Sequence, residues 1–116
     1  MTNENALSVQ TERSEEAVIV CPVGRVDGSN VGVLESAIRE QLDAGEKTLV
    51  FDFEGLNYIS SAGLRVLLVT ARRMQAEGGK ALFCGLAEHI AHVFEISGFT
   101  NILTICQSRS EALAAL

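Results

Sequence analysis

Polar and hydrophobic residues alternate at the start of the chain, which is the pattern of a half-buried strand. Leu7, Val9 and Thr11 lie on one side of this alternation. Residues 17–23 then form a continuous apolar run, and a polar turn at residues 13–16 separates it from the first strand. Two strands joined by a short turn of this kind predict a β-hairpin.

Apolar residues next recur at spacings of three and four in three segments, each of which ends near a glycine, and this spacing predicts helices. The stripes consist of Val31, Leu34, Ile38 and Leu42, of Leu64, Leu67, Leu68, Ala71 and Met74, and of Ile90, Val93 and Phe94. Residues 48–53 are apolar nearly throughout, as a strand covered on both faces is, and residues 81–84 and 102–106 are two further predicted strands. Ser108 and Glu111 form an S-x-x-E capping box, which predicts a short last helix over residues 112–116.

A hairpin followed by alternating helices and strands predicts the fold class. Strand–helix–strand crossovers of this length join parallel neighbours through right-handed connections. We therefore expect an α/β fold with a mixed sheet of about four or five strands, packed with about four helices. The 116 residues fit a single domain, residues 1–116, in which the polar residues 1–6 are expected to fray.

Composition and charge narrow the possible partners. Hydrophobic residues make up 47% of the chain, and the net charge is −6. Binding to nucleic acid or to an anionic membrane needs clustered Lys and Arg. The negative net charge therefore disfavours both as partners. No apolar run is long enough to span a bilayer and residues 1–10 show no secretory signal, so we expect a cytoplasmic protein. Cys21, Cys84 and Cys106 form no C-x-x-C pair and are expected to be buried, reduced thiols.

The most informative segment is residues 51–68, FDFEGLNYISSAGLRVLL. A buried strand runs through a short polar loop into Ser60 and Ser61, and the second helical stripe follows them. A serine at a helix N-terminus is typically a cap, whose side-chain oxygen accepts a hydrogen bond from a free backbone N–H. The same free N–H groups and the helix dipole favour an anion, so a phosphate on either serine is compatible with the helix.

This segment resembles the signature of the sulphate-transporter and anti-sigma-factor-antagonist (STAS) domain, in which a strand leads into Asp-Ser-(Ser or Ala)-Gly-Leu and a helix. The similarity covers nearly the whole chain from about Leu7 onward. The matching segments, in order, are Gly24-Arg25-Val26-Asp27, Ile59-Ser60-Ser61-Ala62-Gly63-Leu64-Arg65, Gly79-Lys80-Ala81-Leu82 and Ser97-Gly98-Phe99. Several matches in the right order make the resemblance far more specific than any one of them.

Free-standing domains of this length resemble anti-sigma factor antagonists. The resemblance implies that the unphosphorylated protein binds a serine kinase of the histidine-kinase-like ATPase fold, which is also the anti-sigma factor, and so releases the target of that kinase. Phosphorylation at the second position of the signature, here Ser61, ends the binding, and a metal-dependent serine phosphatase resets the protein. Ser60 stands where the family most often has Asp, which leaves Ser60 as the alternative phosphate acceptor.

A partner-binding surface around the phosphate acceptor is also expected. Its candidate residues are Asp27, Asn57, Tyr58, Ser60, Ala62, Gly63 and Arg65. Structural roles are the alternatives for four of them. Asp27 can cap the first helix, Asn57 can occupy a turn, Tyr58 can pack with its polar tip outward, and Arg65 can be a solvated side chain. Arg65 also follows Ser61 by one helical turn, from where its guanidinium could reach a phosphate.

No cofactor, metal site or catalytic set is expected. His89 and His92 are too few for a closed zinc site, and the sequence suggests no serine–histidine–aspartate or cysteine–histidine set. Two other functions stay open. One is a non-phosphorylated STAS subunit of a transport or scaffold assembly, in which Ser61 only caps a helix, and the other is a small ligand-binding or hydrolytic domain. A monomer or a weak homodimer is expected.

Overall fold

The computed structural model describes residues 6–116 and contains six strands and four helices in that range. The predicted fraying concerns residues 1–6, of which only Ala6 is described. The elements are β1 (Leu7–Arg13), β2 (Val18–Val26), α1 (Val31–Asp43), β3 (Thr48–Asp52), β4 (Leu56–Ile59), α2 (Ser61–Ala76), β5 (Lys80–Cys84), α3 (Glu88–Ile96), a 3₁₀ turn (Phe99–Asn101), β6 (Thr104–Ile105) and α4 (Arg109–Ala114). None of the helices in this range is long and apolar enough to cross a membrane.

The strands form one mixed sheet in the order β1-β2-β3-β5-β6, and β4 pairs with β2 as well. β1 and β2 form the predicted antiparallel hairpin, in which Leu7 lies opposite Gly24 and Arg13 lies opposite Val18. The other pairs among the described strands are parallel, as the predicted crossovers require. The predicted α/β class with a mixed sheet and about four helices is therefore confirmed.

The sheet has one strand more than predicted, because β4 lies where the sequence indicates a polar loop. β3 pairs with the first part of β2, and after three intervening residues the chain returns as β4 to pair with the last part of β2. Leu56 and Ile59 of β4 are buried, whereas Asn57 and Tyr58 between them are exposed. This spacing of buried residues lacks the alternation by which a strand is recognised in a sequence.

The last strand is shorter than the predicted residues 102–106, since β6 contains only Thr104–Ile105. After α3 the chain winds through the 3₁₀ turn, and the N–H groups of Ile102 and Leu103 both donate to the carbonyl of Phe99. Their backbone donors are therefore used by the turn and are not free to extend the sheet.

The main core lies on one face of the sheet and is covered by α1, α2 and α3. Its largest buried side chains include Leu34, Leu49, Phe51, Phe53, Leu67, Phe83 and Phe94. Phe51 of β3 and Phe83 of β5 stack with their ring centroids 4.9 Å apart. Because α2 is packed on this face along its length, its first turn is fixed at the edge where the strands end.

α4 covers part of the opposite face, above a smaller core that includes Ile19, Val50, Leu82, Cys84, Cys106 and Ala112. The predicted cap is confirmed, because the hydroxyl oxygen of Ser108 accepts a hydrogen bond from the N–H of Glu111 at 3.1 Å. The helix begins at Arg109, three residues before the predicted start, because the capping serine is followed directly by helical residues.

The three cysteines lie on the face that α4 covers, and all three are free thiols. Cys84 and Cys106 are buried as predicted, but Cys21 is only half-buried. Cys21 lies at the margin of α4, where its sulfur is 3.3 Å from Nη2 of Arg109. Burial raises the pKa of the Cys84 thiol to about 11, so this thiol stays protonated at neutral pH.

Candidate functional site

The two serines of the signature lie where β2 and β4 end side by side. Val26 of β2 is in register with Ile59 of β4, and the N–H of Ser60 donates to the carbonyl of Val26 at 2.8 Å. α2 begins at the next residue, Ser61. Asp27 directly follows Val26, so the same edge of the sheet presents Asp27 and the start of α2.

Ser60, and not Ser61, caps α2. The backbone of Ser60 is extended (φ −82°, ψ 171°), and its hydroxyl oxygen accepts a hydrogen bond from the N–H of Gly63 at 3.3 Å. Ser61 is the first residue of the helix and is exposed. Within residues 6–116 its hydroxyl has no hydrogen-bond partner. One serine therefore satisfies the helix, and the hydroxyl of the other is left open to solvent.

The start of α2 favours a negative charge. The first N–H groups of a helix have no partners inside it, and the helix dipole is positive at this end. The first turn of α2 contains no acidic residue that would already use this field. Arg65 is exposed one turn further along the helix. A phosphate on Ser61 would therefore be compatible with the folded helix.

Asp27 organises the turn that leads into α1. Its Oδ1 accepts a hydrogen bond from the N–H of Ser29 at 2.9 Å and another from the Ser29 hydroxyl at 2.5 Å. The hydroxyl and then the amide of Ser29 lower the pKa of the Asp27 carboxyl, so this side chain is an anion at neutral pH. The capping role considered for Asp27 is wrong, because Asn30 occupies the cap position of α1. Asp27 instead provides a fixed negative charge at the edge that carries Ser61.

Arg25 stacks on Tyr58 on the two strands that lead to this edge. The two residues are in register between β2 and β4, and the guanidinium carbon of Arg25 lies 4.3 Å from the centroid of the Tyr58 ring. Tyr58 is 40% exposed, and Nε of Arg25 is buried without a hydrogen-bond partner in the described residues. Sequence reasoning missed Arg25 as a site residue, because its pairing with Tyr58 depends on β4, which the sequence does not predict.

Asn57 connects β4 to α3 through its backbone. Its carbonyl oxygen lies 2.6 Å from Nε2 of His89, which identifies a hydrogen bond between the two elements. The turn considered for Asn57 is wrong, because the residue lies within β4. His89 and His92 are both exposed on α3, and the described residues contain no group of three or more side chains that could hold a metal ion.

Gly63 allows α2 to approach the strands closely. A Cβ at this position would lie 2.7 Å from Cγ1 of Ile59 and 2.8 Å from Cγ1 of Val26. Gly63 is buried, Ala62 is half-buried and Arg65 is exposed. The structure thus brings Ala62 and Arg65 to the surface near Ser61, whereas Gly63 contacts the core.

Replacement of Gly63 by alanine is expected to destabilise the fold. The added methyl group overpacks the contact with Val26 and Ile59, which typically costs about 1–3 kcal/mol and exceeds the helix propensity gained. Gly32→Ala on α1 is the matched control, because beyond the neighbouring backbone of its own helix no heavy atom of the described residues lies within 4 Å of its added Cβ. There we expect about 0.4–1 kcal/mol of stabilisation. Chemical denaturation of both variants measures the two changes in the free energy of unfolding. A stabilisation by Gly63→Ala like that expected for Gly32→Ala would contradict the packing role of Gly63.

A family model for the STAS domain matches residues 8–112. The chain belongs to the STAS domain family. The resemblance seen in the sequence is therefore confirmed. A curated relative of this STAS protein is BtrV of Bordetella bronchiseptica, which its name places among the anti-sigma factor antagonists. The two are 38% identical over 109 residues, which cover 94% of each chain.

Solved structures share the fold of this STAS domain. An anti-sigma factor antagonist from Mycobacterium paratuberculosis superposes with a TM-score of 0.90 at 18% identity, covering 99% of this chain and 97% of the other. The Bacillus cell fate determinant SpoIIAA, in its phosphorylated form, superposes with a TM-score of 0.72 at 23% identity, covering 93% of this chain and 98% of the other. At these identities the two similarities concern the fold.

Proposed function

We propose that this protein is an anti-sigma factor antagonist whose binding to a kinase is switched off by phosphate on Ser61. One observation carries the proposal: Ser60 caps α2, so the hydroxyl of Ser61 is exposed and unbonded at the first turn of the helix. The 38% identity to BtrV supports the antagonist role. The phosphorylated form of SpoIIAA supports a phosphate on a member of this fold.

The phosphoryl transfer needs a partner that brings both ATP and a base. The oxygen of Ser61 attacks the γ-phosphorus of ATP, the bond from that phosphorus to the bridging oxygen breaks, and ADP leaves. The hydroxyl proton passes to a base of the kinase, because no described side chain is hydrogen-bonded to Ser61. We propose a serine kinase of the histidine-kinase-like ATPase fold, acting in the cytoplasm, where ATP is available. A metal-dependent serine phosphatase then hydrolyses the phosphoserine and restores the hydroxyl.

The surface around Ser61 is suited to contact a partner in the unphosphorylated state. Tyr58 and Arg65 are exposed there, and tyrosine and arginine are among the side chains that are enriched at the anchor points of protein interfaces. Asp27 adds a fixed anion at the same edge. A phosphate would add about −1.5 to −2 charges to a place where a carboxylate is already present, and it would have to be desolvated on binding.

Mapping of the phosphate on single-serine variants tests the proposal. The purified protein is incubated with ATP and each histidine-kinase-like serine kinase encoded in the same genome, and the modified residue is identified by mass spectrometry. We expect phosphate in the wild type and in Ser60→Ala, and none in Ser61→Ala. Loss of the cap in Ser60→Ala lowers stability by about 1 kcal/mol, so the assay is run well below its melting temperature.

Other results of this experiment have distinct meanings. If phosphate is absent only in Ser60→Ala, the phosphate acceptor is the capping residue Ser60 and not Ser61. Absence of phosphate with every kinase would overturn the switch and favour a STAS subunit of a transport or scaffold assembly, in which the first turn of α2 is part of a permanent interface.

A further inference from the structure

A groove between α1 and α2 opens next to the phosphate acceptor. It encloses about 420 Å³, and Val31 and Ala62 line it where the two helices begin. Leu42 and Arg73 line it near their ends. The helical rise from residue 62 to residue 73 corresponds to roughly 16 Å, or three turns of helix. The groove therefore continues away from Ser61 as a trough long enough for a short helix.

The groove combines apolar walls with an excess of positive charge. Val69 lines the groove and is 57% exposed, so its apolar side chain is accessible to a partner. Arg39, Arg65 and Arg73 line the groove together with a single acidic residue, Glu35. Within residues 6–116, neither Arg39 nor Arg65 has a carboxylate within ion-pair distance.

This positive charge contrasts with the rest of the protein. The chain has a net charge of −6, yet the side chains that line this groove include three arginines and one glutamate. Among the described residues Arg73 forms an ion pair with Glu77 alone, at 3.5 Å, and both side chains are about half exposed (53% and 51%). Exposed pairs of this kind are worth little, so the arginines are available to a partner.

We propose that the α1–α2 groove receives an acidic amphipathic helix of the kinase that phosphorylates Ser61. The inference rests on the proposed function, because that kinase must reach the hydroxyl of Ser61 and so must lie across the end of the groove at Ala62. Recognition of an amphipathic helix uses apolar anchors one turn apart in a hydrophobic groove. Carboxylates on the rim of that helix would meet Arg39, Arg65 and Arg73, while its apolar side chains would pack on Val69.

Two exposed valines on adjacent helices provide the test. Val69 lines the groove, whereas Val33 of α1 is 48% exposed and is not among the groove residues. The kinase that phosphorylates Ser61 is purified, and its affinity for each variant is measured by titration calorimetry with ADP present, so that no phosphate is transferred. We expect Val69→Glu to weaken binding by about tenfold or more, because it removes an apolar contact and opposes an acidic partner. Val33→Glu should bind like the wild type.

Arg39→Glu provides a second variant at an exposed position. It is expected to weaken binding by about tenfold. It should also reduce the dependence of the affinity on salt, because the attraction that is lost is electrostatic and is screened by salt. Thermal melting of each variant confirms that the fold is intact. If Val69→Glu and Arg39→Glu both bind the kinase with wild-type affinity and Ser61 is still phosphorylated, the groove is not a binding site for the kinase. The proposed function would be unaffected by that result.

The remaining outcomes separate the two hypotheses. If no kinase binds or phosphorylates the wild-type protein, the proposed function is wrong, and the proposal that the groove receives a helix of the kinase is wrong as well. If the protein alone forms a dimer that Val69→Glu dissociates, the occupant is a second copy of this chain and the kinase assignment is wrong.

Discussion

Phosphorylation of Ser61 is expected to weaken binding to the kinase by roughly 30- to 4,000-fold. The phosphate places about −1.5 to −2 charges at the first turn of α2. In the complex this charge is desolvated and lies at the edge that already carries the Asp27 carboxylate. An uncompensated buried charge in an interface costs about 2–5 kcal/mol, which gives this range of affinity. Titration calorimetry with the phosphorylated and unphosphorylated proteins measures the ratio.

A matched pair of serines separates the effect of position from the effect of charge. Ser110 is exposed in the first turn of α4, two residues after the capping residue Ser108, and Ser61 is exposed in the first turn of α2, one residue after the capping residue Ser60. α4 lies on the opposite face of the sheet from α2. Ser61→Glu should therefore weaken binding in the same direction as phosphate, whereas Ser110→Glu should leave the affinity unchanged. An equal loss in both variants would contradict a local switch.

The switch is expected to act without unfolding the protein. The free N–H groups and the dipole at the start of α2 stabilise a negative charge, so the phosphorylated protein should retain its helical signal and melt close to the unmodified protein. Circular dichroism during thermal melting checks this expectation. A large fall in Tm on phosphorylation would mean that affinity is lost through unfolding of α2 and not through the charge in the interface.

Much of the fold follows from local signals in the sequence. The stripe from Val31 to Leu42 predicts α1, and the structure has this helix at Val31–Asp43. The hairpin, the buried strand β3 and the cap at Ser108 are likewise found where the alternation, the apolar run and the S-x-x-E motif indicate them. These features depend on residues close together in the chain, so spacing alone is sufficient to identify them.

Features that depend on contacts between distant segments could not be predicted in this way. β4 is a strand because it completes the pairing of β2, although its buried residues do not alternate. The stacking of Arg25 on Tyr58 depends on that register. The identity of the capping serine was also open, because either of two adjacent serines can accept the hydrogen bond of Gly63. The hydrogen bond from the Ser60 N–H to the Val26 carbonyl keeps Ser60 at the end of the sheet, so Ser60 is the cap and the helix begins at Ser61. This bond joins two segments that are far apart in sequence.

The interactions of Arg109 are another feature without a sequence signal. Arg109 begins α4, and its Nε donates to Oδ2 of Asp52 at 2.9 Å while Nη1 donates to Oε2 of Glu12 at 2.7 Å. Desolvation alone would lower the pKa of the guanidinium, but the bonds to Glu12 and Asp52 outweigh it and raise the pKa of Arg109. One side chain thus joins the last helix to β1 and β3.

Arg109→Met is expected to destabilise the protein by about 3 kcal/mol, which corresponds to a fall in Tm of about 10–15 °C. The Asp52 side chain is only 9% exposed, so removal of its partner leaves a nearly buried carboxylate without a counter-charge. We expect the lower end of the range for buried ion pairs, because the Arg109 side chain is itself 37% exposed and water can replace part of the lost interaction. Chemical denaturation and thermal melting measure the change.

Arg13→Met is the matched control for this prediction. Arg13 pairs with Glu46, and 67% of the arginine side chain and 20% of the glutamate side chain are exposed. Because the guanidinium is open to water, we expect this pair to contribute only about 0–1 kcal/mol. Adding Asp52→Asn to Arg109→Met should recover part of the lost stability, because the neutral amide removes the uncompensated charge. A loss for Arg109→Met no larger than that for Arg13→Met would contradict the role of the buried pair.

The same variant separates stability from signalling. α4 packs on the face of the sheet opposite to α1, α2 and the start of the helix that carries Ser61. At a temperature well below its lowered Tm, Arg109→Met should therefore still be phosphorylated on Ser61 at the wild-type rate. Phosphate incorporation by the same kinase at 15 °C checks this. A slower rate in a folded Arg109→Met protein would mean that the face beneath α4 also contacts the kinase, so the partner surface would not be confined to the edge that holds Ser61.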